Sequence, residues 1–277
     1  MDKFLYGCIY LSAAIAVSVL LMIICYVTVR GIGSVSLEFL TTVTSARKGT
    51  VGIAGNIVNT LYIIVITLVI ATPIGVGSAI YLNEYAKPGK IVRIIEFTTE
   101  TLSGIPSIIF GLFGSVFFGT TLKLGYSLLT GALTLSLMIL PLITRNTQEA
   151  LRTVPDSCRS GALGMGAPKW HMIRTILLPS AMPGIITGVI LAIGRIVGES
   201  AALLFTAGSG YLLPKAGGWL SKILQPGGTL TIQLYLSSSK AEYNVAFGIA
   251  FVLLVIVLCI NFLTKYLAKR FDVTRMK

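Results

Sequence analysis

Arg195 and Glu199 stand four residues apart in GVILAIGRIVGESAALLFTAG, a stretch that is otherwise apolar. In a helix this spacing puts both side chains on one face. Each alone costs about 2.5 to 3.5 kcal/mol on membrane-insertion scales, and together they can neutralise one another. Two chemistries fit. One is a structural ion pair. The other is a cationic station for an anion, with Glu199 holding Arg195 in place, because the arginine fork matches tetrahedral oxyanions. A second polar set is Gly104-Ile105-Pro106-Ser107, followed by Gly111 and Gly114. It is a helix breaker with free hydroxyls in an apolar stretch, and broken helices at membrane depth usually line a cavity. Glu96 and Glu100 precede it by two turns and one turn. Their spacing leaves open whether they face a pore or the watery end of the segment.

No catalytic constellation accompanies these residues. GxxxxGK[ST] is absent, and the Gly89-Lys90 pair lacks both the upstream glycine and the following Ser/Thr, so ATP hydrolysis by a P-loop is not expected of this chain. The single histidine, His171, reads as a surface residue. Cys8, Cys25 and Cys259 fall in apolar segments and Cys158 in a polar one, with no CxxC and no His cluster. No disulfide, metal or other cofactor is therefore expected here.

The elements that position these residues are membrane spans. The 277 residues are 55% hydrophobic and only 12% charged, and mean hydropathy is +0.88. A soluble domain carries about twice that charge. The chain reads as an all-α integral membrane protein with six transmembrane helices: about Phe4–Val29, Ile57–Tyr81, Ile94–Phe118, Tyr126–Thr144, Ala181–Phe205 and Val245–Leu267. The first lacks a clean cleavage site and reads as an uncleaved signal anchor. Pro73 with Gly75 and Gly77, Gly131 with Pro141, and Gly184, Gly188, Gly194 and Gly198 are further breakers, open to a cavity or to close helix packing. The net charge of +12 is distributed unevenly. With the N-terminus inside, fourteen basic residues fall in inner segments, from Lys3 to Lys277, and seven in outer ones, including Arg47, Lys48 and Lys215. That asymmetry predicts that both termini are cytoplasmic.

The longest polar interruption, Arg145 to Pro183, is then a cytoplasmic loop. Val154-Pro155-Asp156 reads as a helix start with Asp156 as the cap, Gly164 and Gly166 as the break, and Pro168 in the first turn of a second helix. Trp170, Ile173, Ile176 and Leu177 share one face of that helix at 3.6-residue spacing. The result is either a docking knob or a plain connecting loop. On the other side, Ala207 to Tyr243 is the longest outer loop. Its Trp219, Leu220, Ile223 and Leu224 suggest a short interfacial helix.

The Arg145–Pro183 loop resembles the EAA loop of permease subunits in binding-protein-dependent ABC importers. That pattern is Glu-Ala-Ala, three residues, Gly, nine residues, Ile, one residue, Leu-Pro. Ser160, Gly161 and Ala162 take the first three places, then Gly166, Ile176, Leu178 and Pro179 follow in register. Ser160 replaces the glutamate and Gly161 the first alanine. GRIVGESAALLFTAG and GIPSIIFGLFG resemble the fifth- and third-span segments of phosphate importer permeases, of the PstA type rather than the PstC type. The resemblance implies a single transmembrane permease domain over 1–277, with core spans about 57–267 and a cytoplasmic coupling-helix loop about 145–183. It implies a subunit that moves inorganic phosphate inward across a prokaryotic inner membrane, without an ATPase site of its own. The implied partners are a PstC-type permease, two ATPase subunits carrying ATP-Mg, an extracytoplasmic phosphate-binding protein and membrane lipid. The expected pathway residues are Arg195, Glu199, Gly104, Pro106 and Ser107. A permease for sulfate or molybdate, or a non-conducting membrane anchor, are the alternatives; an anchor gains nothing from the cost of Arg195.

Overall fold

The computed structural model describes residues 2–45, 50–87, 89–214 and 218–270. Arg47, Lys48, Lys215, Arg275 and Lys277, part of the charge asymmetry above, lie outside these residues. Ten helices organise the described residues: α1 Asp2–Ile32, α2 Ala54–Tyr85, α3 Lys90–Ser103, α4 Ser107–Thr121, α5 Leu128–Arg152, α6 Asp156–Gly164, α7 Lys169–Gly198, α8 Ala201–Thr206, α9 Leu230–Ser239 and α10 Tyr243–Arg270. A one-turn helix (Leu37–Thr41) and an antiparallel hairpin of β1 (Val43–Ser45) and β2 (Thr50–Ile53) join α1 to α2. α1, α2, α5, α7 and α10 are each long and apolar enough to cross a membrane. The sixth expected span, Ile94–Phe118, is not straight: α3 and α4 meet at 102°. Gly104-Ile105-Pro106 makes that elbow, since proline offers no donor to continue the ladder and disfavours helical backbone before it.

Pro73 and Pro141 do not break their helices, whereas Gly198 ends α7. Pro73 lies within α2 and Pro141 within α5. Gly75, Gly131, Gly184 and Gly188 serve close packing, which small residues permit where no hydrophobic effect drives helices together in lipid. A Cβ on Gly75 would sit 2.8 Å from Ile143 of α5, and Cβ atoms on Gly184 and Gly188 of α7 would sit 2.5 Å from Ala150 and 2.7 Å from Asn146. α5 is the axis of the molecule. Its N-cap Ser127 accepts from the Thr130 amide at 3.1 Å, and Leu128, Leu135, Ile139 and Ile143 are buried against α2, α7 and α8. α1 packs on α10, with Tyr26 edge-on to Phe247. Most of the remaining α1 surface is exposed and apolar, as a lipid-facing helix requires.

The Ala207–Tyr243 loop folds back onto α2 instead of lying flat. Asn56 and Asn59 donate to the Gly228 carbonyl at 2.9 and 3.2 Å, and Tyr62 stacks on Trp219. The expected interfacial helix is a single 3-10 turn, Ser221–Leu224. Within it Lys222 is buried and donates to the Pro226 carbonyl at 3.3 Å, and burial pushes its ammonium pKa down.

α4 is clamped by glycine on two sides. A Cβ on Gly111 would meet Ala202 Cα of α8 at 2.7 Å, and one on Gly114 would meet Thr134 Oγ1 of α5 at 2.0 Å. Gly111→Val must displace α8 backbone, so it should lower stability by about 1–3 kcal/mol. Gly77, with nothing within 4 Å, should accept alanine without loss. Thermal melts of the two variants in detergent check the contrast; equal melting temperatures would show that the clamp does not exist.

Candidate functional site

Charged residues of α3, α5 and α7 converge on one cleft. α5 runs to Arg152, two turns past the expected Thr144, because the polar residues RNTQEALR continue helical spacing without a breaker. Arg145 and Arg152 therefore stand on α5, not in a loop. Opposite them, α3 carries Glu96 and Glu100. Arg152 Nη2 lies 3.7 Å from Glu96 Oε1, Arg145 Nη1 3.8 Å from Glu100 Oε1, and Arg145 Nε 3.4 Å from Glu149 Oε1. These residues and Arg195 of α7 line a cleft of about 470 Å³. Glu96 and Glu100 thus face the charged cleft, the question their spacing left open. The signal was present in the sequence as two carboxylates four apart and two arginines seven apart, but nothing in one dimension paired them.

Arg195 and Glu199 do not share a helix face. α7 ends at Gly198, and Glu199 has extended backbone with ψ 123°. Its carboxylate accepts from the Ala202 amide at 3.0 Å, capping the first turn of α8, and its carbonyl accepts from Thr231 Oγ1 at 2.9 Å. An acidic side chain at a helix N-terminus satisfies an otherwise orphaned N–H, and that competes well against an exposed ion pair. Arg195 forms no ion pair among the described residues. Gly104 and Pro106 form the α3–α4 elbow and Ser107 opens α4. None of the three lines the cleft; their neighbour Ser103 does. Of the five expected pathway residues, Arg195 alone lies in it.

The 145–183 segment, read as either a knob of two helices or a plain connecting loop, is a folded knob with its own small core of Ala150, Leu151, Val154, Ala162, Met172, Ile173, Leu177, Ala181 and Ile185. Asp156 is the first residue of α6 and not its cap: Pro155 holds the cap position. Pro168 likewise stands one place before α7, which opens at Lys169. α6 closes as a Schellman motif, with Gly166 at φ +80°, its amide donating to the Leu163 carbonyl at 3.0 Å and that of Ala167 to Ala162 at 3.1 Å. Ala162 is buried, Gly161 and Ser160 are exposed, and Ser160 Oγ donates to the Asp156 carbonyl at 3.0 Å. Ile176 and Leu178 pack against the knob's core, and Pro179 continues α7. Trp170 does not join Ile173 and Leu177 inside; with Leu163 and Met165 it forms an exposed apolar tip.

One buried fork ties this knob to the bundle. Arg159 Nε and Nη2 each lie 3.2 Å from Glu84 Oε1, at the wide π turn that ends α2. Nη2 also donates to Leu151 O and Nη1 to Val154 O, both at 2.8 Å, and Nη1 to Asp156 Oδ1 at 3.0 Å. The Glu84 side chain is 5% exposed. Lys169 adds a hydrogen bond to the Glu84 carbonyl and sits over the Tyr85 ring.

The family of binding-protein-dependent transport system inner membrane components matches residues 71–273. This chain belongs to that family. It is thus a multi-pass inner-membrane component of a binding-protein-dependent transport system. It is 42% identical over 207 residues to the probable ABC transporter permease protein YqgI of Bacillus subtilis, covering 75% of this chain and 70% of that one. To the phosphate transport system permease protein PstA of Haemophilus influenzae it is 32% identical over 267 residues, covering 95% and 92%. A bacterial alginate ABC transporter, solved with an alginate-bound periplasmic protein, shares the fold at a TM-score of 0.72 and 14% identity, covering 98% of this chain and 96% of that one. A chain of the methionine ABC transporter MetNI, solved facing inward, matches at a TM-score of 0.60 and 22% identity, covering 79% and 94%.

Removing Arg159 leaves a carboxylate buried without its partner, a change that costs about 3–5 kcal/mol. Arg159→Ala should loosen the knob, seen as faster limited proteolysis within 153–170 and a lower melting temperature. Unchanged cleavage and melting would remove the fork from any structural role.

Proposed function

We propose that this chain is a permease subunit of an ATP-driven importer that moves inorganic phosphate into the cytoplasm. The observation that carries this reading is Arg195: a membrane-helix arginine without an ion-pair partner among the described residues, presented to a cleft with two more arginines. Phosphate as the substrate rests on the PstA relatives. An anion leaving water for the bilayer loses hydration, and a fixed positive charge at depth offsets part of that loss. Arg195 is the anion station of the pathway. Glu199 acts at a distance by fixing the turn between α7 and α8, and Gly104, Pro106 and Ser107 act by shaping the elbow that borders the cleft.

The chain has no P-loop, so ATP-Mg is hydrolysed on partner subunits. The knob Ser160–Pro179 is the coupling element, with Ser160, Gly161, Ala162, Gly166, Ile176, Leu178 and Pro179 in the EAA-like register. Its exposed Leu163, Met165 and Trp170 are the surface that an ATPase groove covers, in place of a charged contact through a glutamate. The complex contains a PstC-type permease, two ATPase subunits and an extracytoplasmic phosphate-binding protein that docks on the outer loop. The whole chain acts as one transmembrane domain, set in lipid with both termini cytoplasmic, as the basic asymmetry requires.

Two measurements test this. Arg195→Gln should abolish phosphate uptake by the reconstituted complex while assembly is retained, with sulfate competing poorly in the wild type. Arg195→Lys should rescue weakly, since the planar fork is lost. Glu199→Gln should be mild, and adding it to Arg195→Gln should not restore uptake; restoration would return the two residues to a simple ion pair. Separately, a cysteine placed at Lys169 in a cysteine-free background should react with an impermeant maleimide only after permeabilisation. Reaction in intact cells would invert the orientation and end the coupling role of the knob.

A further inference from the structure

α3 is the least anchored helix of the bundle. None of its residues is buried, and Ile91, Ile94 and Phe97 are 74%, 63% and 70% exposed. Only at its elbow end does it reach the main core, through Leu102 and, just past its end, Ile105. Elsewhere it stands off from α5 across two openings. One is an apolar gap of about 510 Å³ reached by Ile95, Thr99 and Leu102 from α3 and by Leu137, Leu140 and Thr144 from α5. The other is the charged cleft of about 470 Å³. Close-packed helices resist displacement, whereas a helix facing voids has room to move. The polar links that bridge α3 to α5 are the Arg152–Glu96 and Arg145–Glu100 pairs. All four side chains are between 47% and 72% exposed, so water screens the pairs and holds them weakly. Weak pairs make poor structural staples and good exchangeable contacts.

We propose that Arg145 and Arg152 form an exit site for a tetrahedral oxyanion and that α3 is the gate over it. At rest Glu96 and Glu100 occupy the two arginines. An arriving oxyanion takes their place on the guanidinium forks, the carboxylates are released to water, and α3 swings about the Gly104–Pro106 elbow. Because the anion itself opens the latch, the exit stays closed when no cargo is present. The far end of the elbow is fixed: Gly111 and Gly114 lock α4 against α8 and α5, so motion is confined to α3. The knob also bears on this gate, since the buried Arg159–Glu84 fork holds the end of α2, whose Leu82 borders both openings. This inference rests on the anion-import reading for its ligand but not for its geometry.

The test uses the full complex in phosphatidylcholine vesicles, so that no anionic headgroup competes for the arginines. Spin labels are attached through Ile94→Cys and Thr153→Cys, with Cys8, Cys25, Cys158 and Cys259 replaced by serine. Glu96→Gln combined with Glu100→Gln should lengthen the label distance and raise ATP-independent efflux of preloaded phosphate several-fold, at unchanged recovery of the complex. Either measurement remaining at its wild-type value overturns the gate. Inorganic phosphate added to the wild-type labelled complex should also lengthen the distance, and chloride at equal ionic strength should not; an equal response to chloride overturns the oxyanion site. A wild-type complex that fails ATP-driven phosphate uptake refutes the import reading, while the label distances in the Glu→Gln variant still decide the latch.

Discussion

The structure depends on the burial of α5. Lipid offers no partner to a backbone N–H or carbonyl, so irregular chain is tolerated only where protein surrounds it. α5 supplies that surround. Thr67 of α2 donates to its Ala132 carbonyl at 3.5 Å, and its Ser136 donates to Ala132 at 2.7 Å and reaches the Thr67 carbonyl at 3.4 Å. The helices on either side of the two interruptions, α7 with α8 and α3 with α4, all pack against this helix. Glycine makes the approach possible at each crossing, which is why so many apparent breakers leave their own helices intact.

Charge is then sorted by depth of burial. The Arg159–Glu84 fork is buried and saturated: the arginine has two carboxylates and two carbonyls to serve, and Asn83 adds a donor to Glu84 Oε1 at 2.8 Å. Such a network is costly to interrupt, which suits a joint that must carry force. The cleft pairs are exposed and at 3.4–3.8 Å, cheap to exchange. The same two residue types thus build a permanent joint at the knob and a dissociable set in the cleft, and solvent access decides which is which.

The knob is a separate structural unit. Among the described residues its core shares with the main core only the partly buried Val76; the π turn Ile173–Leu177 lies within it, and the π turn Tyr81–Tyr85 is joined to it through Glu84. A unit with its own core moves as one piece, and its exposed apolar tip is wasted on water unless a partner covers it. That division explains how one helix, α7, can carry the knob at one end and Arg195 at the other.

Length and hydropathy by themselves determined that this is an all-α membrane protein, because about twenty apolar residues in succession have no soluble use. Local chemistry also fixed the Schellman turn at Gly166 and the elbow at Pro106, since both depend on a single residue's backbone freedom. Spacing failed where two local rules competed. Arg195 and Glu199 satisfied a helical i,i+4 rule, but Glu199 served better as a cap for α8, and only the packing of α8 against α4 created that helix end. Glu96 with Arg152, Glu100 with Arg145 and Glu84 with Arg159 are 45 to 75 residues apart in sequence. No periodicity links such partners. Tertiary structure chose them, because the angle of the elbow and the length of α5 set which charges meet.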